Sequence, residues 1–439
     1  MRLVHTSDWH LGKSLYDKTR YDEHEAFLHW LSLYLIKEDI DCLVIAGDIF
    51  DTTTPSHQAL SLYFQFLHKI ASQTSISVVI IGGNHDSPSL LNAPDSFLRE
   101  FQIHVIGAAS ESHANEVIPI YRRGSRDGEL CGLICAVPYL RERDLAALNP
   151  CEEGKVREER IKHQLYSHYQ EIYAHATLLR QQHSHSLPII GIGHLFTMGG
   201  VAGEGVRSLY LGDICHIGAE QFPPFDYLAL GHLHRHQVVS GDNTKQYCGT
   251  PIPMGFSEAM NRQYILDVTV TEAMLHVEAV EVPRTVDIVR ITGDIDQIKS
   301  QIFFHKTSSQ KTLAEVIYTG STLQPRLSKE VRDWVDGSKV SVIRVVDENM
   351  YIGNDSIART LYEGDDEGDE STLFCIQNRL ESLNEEYVFS AILEKKGVKY
   401  ENRGALADVY RQLCTAVHER DLRAGTSIHT KMKGKGGYT

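Results

Sequence analysis

Five short apolar runs in the first half of the chain each stop at residues able to hold a cation, and that recurrence constrains the fold more than any other feature. Leu3–Val4 leads into Asp8 and His10, Cys42–Ala46 into Gly47, Asp48 and Asp51, and Val78–Ile81 into Gly83-Asn84-His85-Asp86. Further on, Ile189–Ile192 leads into Gly193-His194, and Tyr227–Leu230 into Gly231-His232-Leu233-His234. Such runs, together with Leu133–Val137, predict buried strands. Amphipathic stretches lie among them: Phe27, Leu31, Tyr34 and Leu35 share one helical face, and Leu60, Phe64 and Leu67 another. A long polar helix is expected over Glu158 to Gln182, with Ile161, Leu165, Tyr169, Ile172 and Leu179 on one side. Strands separated by helices imply a layered α/β core over residues 1–280. In such sheets the carboxyl ends of the strands open on the ligand crevice, so the polar residues that end these runs should meet.

The residue types suit that meeting. Asp8 and His10 are two apart, as are His232 and His234, which in extended chain turns both to one side. A mixture of carboxylate, imidazole and amide fits Mn, Fe or Zn better than an all-oxygen Ca or Mg site. Asp48 could bridge two cations about 3.5–4 Å apart, which would polarise phosphoryl oxygens and activate a shared water. Asn84 would complete the second ion's shell without adding charge. Any one of these motifs alone reads equally well as a turn or a helix cap. Five strand ends in order, carrying only metal-competent residues, do not.

The rest of the chain adds organisation. From about residue 285, Val286, Ile288 and Ile291 suggest a strand, Asp294 caps a helix through Ile295, Ile298 and Ile302, and Ala314–Tyr318 is a second strand. A helix capped by Ser328 and a third strand, Val342–Val346, complete a small α+β domain over 281–350. An acidic linker is expected at 351–376, a helical region with stretches near Leu380–Leu393 and Ala405–Val417 at 377–424, and a disordered Gly/Lys-rich tail at 425–439. A hydrophobic fraction of 42% and a charged fraction of 23% belong to an ordinary globular protein. No apolar stretch is long enough to span a bilayer, the start does not read as a secretory signal, and the eight cysteines show no metal-type spacing, so a cytoplasmic protein is expected. The net charge of -15 argues against nucleic-acid binding through a broad basic surface, though not against a local grip on phosphate.

The series Asp8-x-His10, Gly47-Asp48-x-x-Asp51, Gly83-Asn84-His85-Asp86, Gly193-His194 and Gly231-His232-x-His234 resembles the calcineurin-like metallophosphoesterase family. Within it, Ser7-Asp8-Trp9-His10-Leu11-Gly12, Ala46-Gly47-Asp48-Ile49-Phe50-Asp51, the Phe222–His232 segment and Tyr247-Cys248-Gly249-Thr250-Pro251 are most similar to its branch of bacterial double-strand-break nucleases. The resemblance implies a β-sandwich core flanked by helices, with the 281–350 domain as a cap that positions DNA and the C-terminal helices as a docking region for an SMC-like ABC ATPase. It implies a nuclease, using two divalent ions (Mn2+ by preference), that works on double-stranded ends and hairpins in repair, recombination and replication. A homodimer within a heterotetramer, in the cytoplasm and on the nucleoid, goes with it. By position, Asp8, His10, Asp48 and His234 would hold the first ion, with Asp48 shared, and Asn84, His194 and His232 the second. His85 would act on the leaving oxygen, with Asp86 orienting its ring. Related archaeal enzymes carry His where Asp51 stands, so that residue's role does not transfer. Thr52 replaces the Arg of the serine/threonine phosphatase branch, which disfavours that branch; a phosphatase or small-molecule phosphodiesterase on the same scaffold is the alternative. No Walker motif is present, so any ATP dependence must come from a partner.

Overall fold

The computed structural model describes residues 1–347 apart from 123–127, 142–143, 146–154, 184–185, 199–216, 323 and 325. The linker, helices and tail expected after residue 350 lie outside the described residues. Each predicted apolar run is a strand, and the strands form two six-stranded sheets. One sheet orders Leu275–Glu281, Tyr264–Val270, Arg2–Thr6, Cys42–Ala46, Ser77–Ile81 and Ile103–Ile106. The other orders Gln237–Val239, Asp242–Tyr247, Tyr227–Gly231, Ile189–His194, Leu130–Ala136 and Val117–Tyr121.

The period-two alternation of side chains explains why these strands are apolar throughout. From the first sheet, Leu3, Val44, Ala46, Val79 and Ile81 face Ile134, Ala136, Ile190, Ile192 and Ala229 of the second, forming the middle layer of the sandwich. The intervening residues Val4, Leu43, Ile45, Val78 and Ile80 face outward onto the helices Tyr21–Lys37 and His57–Gln73. The second helix starts at Ser56, whose hydroxyl accepts from the Ala59 amide and satisfies one of the free donors of the first turn. On the far side the long helix spans Lys155–His183, and Ile161, Leu165, Tyr169 and Ile172 pack on Leu133, Ile189 and Leu228. The layers therefore run helix, sheet, sheet, helix.

Parallel pairing sets the position of the site. Arg2–Thr6 runs beside Cys42–Ala46, which runs beside Ser77–Ile81, while Tyr227–Gly231 runs beside Ile189–His194 with Gly231 opposite His194. Their carboxyl ends therefore share one rim, and the two sheets meet there.

A smaller unit follows. Strands Val286–Gly293, Lys311–Tyr318 and Val340–Asp347 form a parallel sheet, with helices Ile295–Lys306 and Leu327–Val335 as crossovers. Asp294 caps its helix through a full capping box with Gln297, as the sequence predicts. Ser328 does not cap the next one: that helix begins at Leu327, with Arg326 at the cap position and no side-chain bond. Leu327 is buried among Val331, Val335 and Ile302, and packing sets the start one residue before the serine. Among the described residues no helix is long and apolar enough to cross a membrane.

Candidate metal centre

The backbone at the rim is held in a rarely visited conformation. Seven described non-glycine residues have positive φ, and four of them are Asp8, His10, Asp48 and His232. This conformation is costly for residues with a side chain and persists where surrounding bonds impose it. The bonds are present: Asp8 N donates to the Gly47 carbonyl (3.0 Å), His10 N to the Asp48 carbonyl (3.0 Å) and Leu11 N to the Ile49 carbonyl (2.9 Å). The extended-chain argument that turned Asp8 and His10 the same way is therefore overturned. Both lie beyond the strand, where paired left-handed turns aim them, and His232 (φ 101) departs from the extended form as well. Glycine is required at two places in this rim. Gly47 has φ 87 and a Cβ there would strike the His194 ring, and a Cβ at Gly231 would strike the Ala46 carbonyl.

Seven predicted ligands meet at this rim. The His194 Nε2 lies 3.4 Å from Asp48 Oδ2 and 3.0 Å from Asn84 Oδ1, while His232 Nδ1 lies 3.1 Å from the same Asn84 oxygen. His10 Nε2 lies 3.7 Å from Asp48 Oδ2, and its ring stacks edge-on with that of His234 at 5.1 Å. Ligand atoms of Asp8, His10 and His234 all lie within 4.8 Å of one another, as do those of Asp8, Asp48 and His194. His194 Nδ1 donates to the Ala46 carbonyl (2.8 Å), which fixes the tautomer and turns Nε2 inward as an acceptor. His10 is the clearest sign that a cation belongs here: both its ring nitrogens are buried, and neither makes a hydrogen bond. The donor set fits a divalent metal.

Electrostatics point the same way. Burial opposes charge on Asp48, yet His194 and His10 outweigh it and hold this carboxyl far below the usual range. Burial likewise opposes charge on His194, but Asp48 and Asp8 raise it to about 9. Burial, reinforced by the neighbouring His194, pushes His232 down to about 3. Burial and the Asp48 charge push Asp86 up to about 6.

His85 sits beside this group, its ring 4.8 Å from that of His10 and its amide donating to Asp48 Oδ1 (2.8 Å). Its Nδ1 bonds the Asp51 carbonyl (2.8 Å). Asp86 acts further back: its carboxylate accepts from the amides of Ile49 (3.1 Å), Phe50 (3.0 Å) and Gly83 (2.9 Å), locking the Asp48 loop to the Asn84 loop. Following directly in the chain, Asp86 is turned away from the ring it was expected to orient.

Three contributions were not read from the sequence. The Glu258 carboxylate, buried, meets His234 Nδ1 (3.2 Å) and accepts from the Met254 amide (2.7 Å). Asp51 faces His10 Nδ1 (3.5 Å) and pairs with Lys13 (3.1 Å). Arg141 holds the Asp86 carbonyl (2.9 Å). Each acts across long sequence separations, and none belongs to a local motif that could have flagged it.

Comparison with known proteins adds to this geometry. A family described as calcineurin-like phosphoesterase matches residues 1–236, and one described as type 5 capsule protein repressor C-terminal domain matches residues 284–396. SbcD, the second component of the SbcCD nuclease, from Escherichia coli (strain K12) is 37% identical over 312 residues, 71% of this chain and 76% of that protein. The proteins of the same name from Rhodobacter capsulatus and Bacillus subtilis are 34% and 32% identical, over 59% and 62% of this chain and 64% and 66% of their own lengths.

Proposed function

This chain belongs to the calcineurin-like phosphoesterase family, and on that premise we propose that it is a metal-dependent DNA nuclease like its SbcD relatives. The observation that carries the reading is the shared rim, where Asp48 stands within reach of both His10 and His194. Asp8, His10, Asp48 and His234 would hold one divalent ion and Asn84, His194 and His232 a second, with Asp48 common to both and Mn2+ the preferred metal. When bound, such ions supply Lewis acidity toward the phosphoryl oxygens and make water acidic enough to attack near neutral pH.

The chain's own residues do the positioning. The Ala46 carbonyl and Glu258 each take one nitrogen of an imidazole (His194 and His234), leaving the other nitrogen as ligand. Burial keeps His232 neutral and so able to ligate. His85, oriented by the Asp51 carbonyl, would deliver a proton to the departing sugar oxygen, and Asp86 holds the two loops that carry it. The Val286–Asp347 unit would position duplex ends and hairpins over the rim. The region 377–424 would dock an SMC-like ABC ATPase, which supplies the ATP dependence and part of the grip on DNA that a chain of net charge -15 lacks. Assembly as a homodimer within a heterotetramer, in the cytoplasm and at the nucleoid, completes the proposal.

The test is direct. Metal-depleted protein is given Mn2+ with linear and hairpin duplex DNA, and in parallel a chromogenic phosphomonoester. DNA cleavage that requires Mn2+ is expected; hydrolysis of the monoester alone would refute the nuclease reading.

A further inference from the structure

The apolar contact between the small domain and the core runs through two short segments, and each also reaches one imidazole of the proposed first cation site. The first segment is the hairpin Ser14–Leu15 and Lys18–Thr19, which directly follows the Asp8–His10 loop. At its base Lys13 pairs with Asp51 (3.1 Å), and Asp51 faces His10 Nδ1 (3.5 Å). At its tip Leu15 is buried in a cluster shared by Phe256 and Ala259 of the core and Val286, Ile288 and Leu313 of the small domain. Tyr16 follows in a left-handed conformation (φ 50), a cost that a side-chain-bearing residue at an exposed tip bears only where its contacts impose it. Its hydroxyl accepts from Arg344 (2.8 Å), whose guanidinium also lies over the ring at 5.4 Å. Arg344 and Arg290 together enclose the Glu315 carboxylate, which is 2% exposed (3.1 and 2.8 Å).

The second segment is the turn Phe256–Glu258. Phe256 enters the shared cluster and packs against Tyr16 at 6.2 Å between rings, and two residues later Glu258 holds His234 Nδ1. By contrast, His194 and His232 share the Asn84 oxygen, and His194 is anchored on the Ala46 carbonyl; neither segment supplies those bonds.

We propose that Leu15, Tyr16, Phe256 and Arg344 are positioning residues that couple docking of the Val286–Asp347 domain to occupancy of the cation site formed by Asp8, His10, Asp48 and His234. The proposal rests on the assignment of that site in the preceding subsection. Coupling of this kind is reciprocal: a docked domain holds the Asp51 and Glu258 carboxylates against their imidazoles, and a bound cation in turn favours the docked domain. DNA or a partner that displaces the domain would loosen one cation and spare the other.

Arg344→Ala tests this from the small domain, away from every ligand, and Tyr16→Ala tests it from the core. Isothermal titration of Mn2+ into the metal-depleted full chain should show two ions for the unaltered protein. In either variant one of the two should bind about 5- to 150-fold more weakly, the usual span of a coupling between sites, with the other unchanged. Hydrogen exchange should show faster opening of 286–347 in the same variants, slowed again by saturating Mn2+, and Tyr16→Phe, which keeps the ring contacts, should recover part of the affinity. At saturating Mn2+ the kcat for a small chromogenic phosphodiester should be unchanged, while KM for duplex DNA rises. Faster opening of the domain with both ions bound as in the unaltered protein would overturn the coupling, as would equal weakening of both ions or no change in opening. Failure of the unaltered chain to bind two ions would instead count against the parent site assignment, so the two failures are told apart.

Discussion

Replacing His85 by Ala isolates proton delivery from metal binding. The side chain contacts the site at its edge, with its ring 4.8 Å from His10 and its Nδ1 on the Asp51 carbonyl, while its backbone amide supports Asp48 Oδ1. The substitution keeps that amide. A positioned general acid contributes about 10²- to 10⁴-fold to rate. The variant should therefore lose that factor in kcat on duplex DNA, equivalent to about 2.7–5.5 kcal/mol of barrier. Because the lost group serves the leaving oxygen, a phosphodiester with a nitrophenolate leaving group, which departs without a proton, should be cut almost as fast as by the unaltered enzyme. The assay pairs the two substrates with elemental analysis of bound Mn2+. Equal loss on both substrates would refute proton delivery. Loss of bound metal would refute the non-ligand role, an outcome the geometry leaves testable because ligand atoms of His10, Asp51 and His85 also lie within 4.8 Å of one another.

Other substitutions follow from the contacts. Glu258→Gln removes the charge behind His234 and should raise the Mn2+ concentration for half-maximal activity by about 10- to 100-fold, as loss of a carboxylate behind a ligating imidazole does elsewhere; an unchanged requirement would refute its role. Asp86→Ala strands three backbone donors, each worth about 1–3 kcal/mol when buried without a partner. It should lower stability by several kcal/mol in urea unfolding with chelator present, and a neutral effect would contradict the locking role. Burial pushes both His5 and His24 down to about 3, so each is neutral when folded and takes its proton only on unfolding. Their contribution is fully present above pH 6.5 and is lost as pH falls from 6.5 toward 3, by about 1.4 kcal/mol per pH unit for each. His24→Leu should therefore be about 2 kcal/mol less sensitive than the unaltered chain to a shift from pH 6.5 to 5.

Much of this site was legible because its signal is local. A glycine followed by a ligating residue at the end of an apolar run appears within a few residues, as at Gly47-Asp48 and Gly193-His194, and parallel pairing then brings the runs to one rim without further information. The layered core followed for the same reason. What stayed hidden depends on contacts between distant segments. Glu258 is one acid among 58 Asp and Glu residues until the fold sets it against His234. The edge strands escaped because Leu275–Glu281 and Asp242–Tyr247 mix charged and apolar residues, as a strand with one solvated face does. The left-handed backbone at Asp8 and His10 could not be inferred from the two-residue spacing, since hydrogen bonds to the Gly47 and Asp48 carbonyls impose it.

The central claim is that these scattered side chains clasp a pair of cations about Asp48. Anomalous diffraction at the manganese edge from Mn2+-soaked crystals tests it most directly. Two peaks about 3.5–4 Å apart, both touching the Asp48 carboxylate, are the expected result. A single peak, or a pair that leaves Asp48 without a metal contact, would contradict it.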